Sequence, residues 1–225
     1  MSIVPYVLQA GIMVVVAMGS IHMARKMPTP SKRHTPPTRY ERLWDSSEIR
    51  PSKIFRADKA VALYKDTRSR YVTIEKQRKT GVPAAIIFCL HGRESTWSFN
   101  RHLHEGSSLR RRTRYVPKGR PRRGSPPFTF EESAEDALYI LKDLENKKWD
   151  TVDSALTHIE RYNGTGYLRY HPSVNSPYLW AGTSKYSRGK YVADGRFSKS
   201  AVDGQLGCVT ILKRMEERGV DIGFR

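Results

Sequence analysis

The stretch His91-Gly92-Arg93-Glu94-Ser95-Thr96 ends an apolar run, Ala84 to Leu90, and leads into Trp97-Ser98-Phe99-Asn100. Ile86, Ile87 and Leu90 recur at helical spacing toward Glu94, and Ile87 to Glu94 is two turns. That spacing predicts a carboxyl at the rim of an apolar helix face. Such surroundings disfavour ionisation and raise a carboxyl pKa, as a general acid needs near neutral pH. The competing reading is an exposed Glu paired with Arg93 or another arginine.

A second group of residues, Arg161-Tyr162-Asn163-Gly164-Thr165-Gly166-Tyr167, ends another predicted helix. Its glycines permit a tight turn. A phenol and an amide beside that turn can hold a sugar by stacking and hydrogen bonding, or simply cap and pack the helix. Tyr178, Trp180, Tyr186 and Tyr191 lie among Gly and Ser and suit either a glycan groove or a packed lobe.

These residues carry a resemblance. HGREST-W-SFN together with YNGTGY resembles the lysozyme superfamily, specifically goose-type lysozymes and soluble lytic transglycosylases. The chain is similar more closely to phage endolysin-like, virion-associated proteins of lysozyme type. The matching stretches are RESTWSFNRHLHEGSSL, VPKGRPRRGSPPFTFEESAEDAL, NSPYLWAGTSKYSRGKYVADGRF and AVDGQLGCVTIL, between about residues 84 and 215. Two features depart from the family pattern. Thr165 stands where the Tyr-Asn-x-Gly motif has glycine, and the transglycosylase Gly-Leu-Met-Gln motif is missing.

The resemblance implies cleavage of the β-1,4 bond between N-acetylmuramic acid and N-acetylglucosamine in peptidoglycan. Glu94 would be the acid, with Ser95, Tyr162 and Asn163 on the substrate side; from the aromatic group above, Tyr178 and Trp180 are the further candidates to bind sugar. Glycosidases usually need a second carboxylate, for which Glu105, Asp136 and Asp194 are the candidates. A lytic transglycosylase needs none, because the muramyl 6-hydroxyl attacks. No cofactor or metal is expected, since no CxxC or Cys/His cluster exists. Cys89 and Cys208 lie in apolar stretches and read as small buried hydrophobes, with a disulfide between them left open.

The expected fold class is mainly α, a lysozyme-like domain with a loop-rich lobe. A helix is predicted over 56–79, and another over 83–95. Residues 103–128 read as loop, with room for a small hairpin. Thr129 caps a helix with Glu131 and Glu132 in its first turn, running to Leu141. Asp150 or Thr151 opens one that buries Val152, Ala155, Leu156 and Ile159. Ser198 or Ser200 opens the last, through Met215.

Ahead of this domain, residues 1–24 contain no Asp, Glu, Lys or Arg. Their apolar stretch 3–21 spans roughly 28 Å as a helix, about one hydrocarbon core. A transmembrane or signal-anchor segment is therefore expected at 1–24, a Pro-rich basic linker at 25–50 and the catalytic domain at 51–225. Arg25, Lys26, Lys32 and Arg33 follow the apolar segment, which under the positive-inside rule favours the remainder in the cytosol. Peptidoglycan lies on the other side. A signal-anchor-release endolysin, or delivery from a phage virion into the host envelope, resolves the conflict, and the virion route is preferred.

The net charge of +18 makes polyanions the natural partners. The run Arg110, Arg111, Arg112, Arg114, Lys118, Arg120, Arg122 and Arg123 concentrates it. Peptidoglycan is the first expected partner, and a membrane through residues 3–21 the second. Other virion proteins or a second copy follow, with DNA less favoured. The alternative from another class is an inactive structural virion protein whose basic surface handles DNA or partners.

Overall fold

The computed structural model describes residues 36–225. The apolar segment 1–24 and the linker up to residue 35 lie outside the described residues. Among those described, no helix is long and apolar enough to cross a membrane.

The domain is mainly helical: α1 (Arg39–Asp45), α2 (Pro51–Glu75), α3 (Ala84–Ser95), α4 (Phe130–Glu135), α5 (Val152–Asn163), α6 (Gly166–Tyr170), α7 (Pro177–Trp180) and α8 (Cys208–Glu217), with a two-stranded antiparallel hairpin, β1 (Lys190–Ala193) and β2 (Arg196–Ser198), before α8. α3 lies at the centre. Every residue from Ala84 to Gly92 is buried, as expected for a helix that is apolar on all sides. α2 and α8 pack against it. Burying Ile86, Ile87 and Leu90 stabilises this centre by about 1.5–3 kcal/mol each.

Helix starts follow the chain's capping chemistry. Thr129 accepts from Glu132 N at 3.2 Å while the Glu132 carboxylate accepts from Thr129 N at 2.7 Å, so both otherwise orphaned donors are satisfied. α4 continues into a π-helical turn, Asp136–Leu141. Thr151 caps α5 with Ser154 in the same reciprocal way.

Three expectations need correction. Residues 39–50 are not linker: Thr38 and Glu41 form a capping box, and α1 packs on α5 with Tyr40 and Trp44 buried. α2 begins at Pro51 rather than 56, because Pro51 supplies a preset first turn. The last helix begins at Cys208, not Ser198 or Ser200. The intervening chain is held by Gly189 N to Ala201 O at 2.8 Å and by the Arg93–Asp203 ion pair at 3.0 Å. The 103–128 segment is loop, closed near its start by a single bridge between Arg101 and Ser108. Cys89 and Cys208 are buried free thiols.

Candidate active site

Glu94 occupies the last turn of α3. There the helix carbonyls point their negative ends at it, which disfavours a carboxylate. The chain reverses at once afterwards: Thr96 and Trp97 adopt left-handed φ of 54° and 60°. Trp97 then folds back on α3. Its indole Nε1 donates to Phe88 O at 3.0 Å, and its ring stacks on Phe88 at 5.2 Å. Gly92 makes this possible, since a Cβ there would come within 2.5 Å of the indole. Left-handed backbone at two non-glycine residues is costly and is held here by this packing.

Glu94 is partly buried. Burial pushes its carboxyl up to about 7, against the opposing pull of a hydrogen bond from Tyr178 and of the Arg93 and Lys142 charges; Glu105 adds to the upward push. The Tyr178 hydroxyl, from α7, donates to Glu94 Oε1 at 2.7 Å.

Arg93 does not pair with its neighbour. Its guanidinium donates to Asp203 Oδ2 at 3.0 Å and lies 5.0 Å from the Tyr178 ring centroid. Lys190 approaches the same carboxylate oxygen at 3.8 Å. Among the described residues no cation forms an ion pair with Glu94. The reading of Glu94 as half of an ordinary surface ion pair is therefore set aside. Lys142, at the end of the π-helical turn, donates to Tyr162 O at 2.8 Å, and burial lowers its pKa while the Glu94 charge raises it.

A cleft of about 660 Å³ opens beside this group, lined by Arg93, Asn163, Tyr170, Tyr178, Tyr191 and Asp194 among others. The structure thus brings Tyr178, Asn163 and Asp194 to one cleft, and Glu94 is tied to it by the hydrogen bond from Tyr178. Tyr162 stands behind it, its buried hydroxyl donating to Leu103 O at 2.9 Å, and so supports the wall rather than presenting a polar face. Asp194 is the exposed turn residue between β1 and β2.

Other expected site residues are placed elsewhere. Ser95 is buried, and its hydroxyl donates back to His91 O at 3.3 Å. Trp180 is fully buried, so no sugar can stack on it. Asp136 is buried too. It accepts from Arg120 Nε and pairs with His104 Nε2, both at 2.8 Å, and so ties the 103–128 loop to the π-helical turn. Glu105 lies in that loop with Ser107 donating to it. Its charge adds to the upward push on the Glu94 carboxyl. Lys142 and the Arg93–Asp203 pair escaped sequence reasoning, because their partners lie far away in the chain.

Among the described residues no cluster of three or more His, Cys, Asp or Glu could hold a metal ion. Comparison with known proteins finds no matching family model, no matching curated protein and no matching solved structure.

Proposed function

We propose that this chain is a peptidoglycan-cleaving enzyme of lysozyme type, acting on the β-1,4 bond between N-acetylmuramic acid and N-acetylglucosamine. One observation carries the reading: a carboxyl held up to about 7 at the end of a buried helix, beside a cleft rich in tyrosines. A group in that range is protonated and yet able to give its proton at neutral pH. The resemblance of HGREST-W-SFN and YNGTGY to lysozyme motifs points to the same bond.

In this mechanism Glu94 gives its proton to the glycosidic oxygen as the bond to the muramyl C1 breaks. Either water or the muramyl 6-hydroxyl then attacks C1, and the attacking group's proton returns to the Glu94 carboxylate. Where water is the attacking group, Glu105, whose charge acts on the Glu94 carboxyl, is the carboxylate assigned to steer it. The Tyr178 hydrogen bond stabilises the Glu94 anion between the two transfers. The apolar segment 3–21 and the basic surface suit a phage protein working at the bacterial envelope, delivered with the virion.

The test is digestion of purified peptidoglycan by the full-length protein and by Glu94→Gln, with products read by mass spectrometry. Reducing ends carrying added water identify a muramidase, and anhydro-muramic ends a lytic transglycosylase. Activity that survives in Glu94→Gln removes Glu94 as the acid. A wild-type protein without activity shifts the assignment to a structural virion protein with a basic binding surface.

A further inference from the structure

A second cleft, of about 500 Å³, is lined by Arg101, Glu105, Gly106, Arg111, Arg114 and Tyr115 among others. It abuts the end of α3 directly. Gly106 has a φ of +79°, and its backbone lies so close to Glu94 that a Cβ there would come within 2.5 Å of the Glu94 carbonyl oxygen. Tyr178, which lines the first cleft, bonds the Glu94 carboxyl, and Gly106, which lines the second, lies against the Glu94 backbone carbonyl.

The second cleft sets three guanidinium groups against one carboxylate. Arg101 donates to Gly106 O at 3.0 Å. Arg111 and Arg114 are exposed and, among the described residues, pair with no carboxylate. Beside them the Tyr115 ring is 64% exposed. The loop that presents these groups is well braced. Thr113 N donates to Arg120 O at 2.8 Å, Gly119 N to Thr113 O at 2.9 Å, and Arg120 N to Thr113 Oγ1 at 2.8 Å. The buried Arg120–Asp136–His104 contacts fix its base.

Holding like charges together on a braced loop is unfavourable unless an anion joins them. Guanidinium forks match carboxylates in bidentate geometry, and an exposed tyrosine offers a face for a sugar ring. We propose that the Arg101, Arg111, Arg114 and Tyr115 cleft is a carboxylate-reading subsite, which takes the peptide-bearing sugar next to the bond that Glu94 cleaves and so selects strands with anionic stems. The proposal rests on the reading of Glu94 as the acid of a peptidoglycan-cleaving enzyme.

The experiment compares native peptidoglycan with the same material after its carboxylates are converted to amides. Full-length protein should show kcat/KM at least tenfold higher on the native form, mainly through KM. In the Arg111→Gln/Arg114→Gln double variant that ratio should fall to near one. The Arg122→Gln/Arg123→Gln double variant, an exposed basic pair beyond this cleft, should keep it. Sedimentation of Glu94→Gln protein with the two insoluble forms gives a readout free of cleavage, and the Arg111/Arg114 changes made in that background should abolish the same preference. If the wild-type protein does not cleave but binding still follows Arg111 and Arg114, the acid assignment falls and the subsite stands. A wild-type ratio near one, or equal losses on both forms, overturns the subsite. So does loss of duplex-DNA binding in the double variant with the peptidoglycan ratio kept, which would assign the surface to nucleic acid.

Discussion

The Tyr178 hydroxyl and the Glu94 carboxyl, 84 residues apart in the chain, are joined by a hydrogen bond of 2.7 Å. A donor to a carboxylate favours the charged form, so this bond lowers the Glu94 pKa while burial raises it to about 7. A general acid must be protonated to act. Activity should therefore fall as pH rises through about 7. Tyr178→Phe removes the opposing bond and should move that alkaline limb to higher pH, with lower kcat because the Glu94 anion loses its donor. The pH profile of kcat/KM for both proteins checks this, and an unmoved limb would separate Tyr178 from the acid.

The same elevation has a consequence for stability. The Glu94 pKa is higher in the folded than in the unfolded chain, where it is near 4.5. Its contribution is fully present below that unfolded value and is lost as pH rises through about 7. Glu94→Gln never ionises. It should melt higher than wild type at pH 8, by the equivalent of on the order of 2 kcal/mol, and close to wild type at pH 4. Thermal melts at the two pH values decide it. A Gln variant less stable than wild type at pH 8 would mean that the carboxylate is welcome where it sits.

On the acid side three buried imidazoles dominate. Burial lowers His91 and His104 to about 4 and lowers His102 as well. Their folded pKa values lie below the unfolded ones, so stability should fall as pH drops from about 6.5 toward 4. His104 also belongs to the Asp136 site, where Arg120 shares the same carboxylate oxygen. Asp136→Asn leaves the Arg120 charge buried without its counterion and should cost about 3 kcal/mol. Denaturant midpoints at pH 7 measure that loss, and a change below about 1 kcal/mol would show that water takes over the carboxylate's role.

Much of the fold could be read from local chemistry. The Thr129/Glu132 and Thr151 caps and the apolar run into Glu94 are sequence-local signals, and the structure places helices there. Thr38 and Glu41 carry the same capping signal, masked by the prolines around them. What escaped is non-local. Trp180 sits among Gly and Ser like an exposed platform, yet α7 packs on α8 and α5 and buries it. Tyr178 lines the cleft, but its hydrogen bond to Glu94, 84 residues away, has no local signal. The alternative that pairs Glu94 with Arg93 fails because Asp203, 110 residues away, draws the guanidinium off. The π-helical turn that carries Lys142 to Tyr162 has no periodicity a sequence scan would register.

Gly106 ties the basic loop to the end of α3, and this contact can be tested alone. Its φ of +79° is in the region glycine favours, and the place of a Cβ is filled by the Glu94 carbonyl at 2.5 Å. That neighbour is backbone of α3 and cannot swing aside as a side chain could. Gly106→Ala must therefore either strain its own φ or push residues 103–107 off the helix end. Both outcomes cost stability, about 2 kcal/mol taken together. Displacing the loop also moves Glu105, whose charge helps to keep the Glu94 proton in place, so the alkaline limb of the pH profile should shift down. Gly119→Ala serves as the comparison: it has a similar φ of +78° and nothing within 4 Å of a Cβ. It should lose only the conformational part of the stability and leave the pH profile where it was. If the two variants behave alike, the close approach of Gly106 to Glu94 has no part in setting the acid.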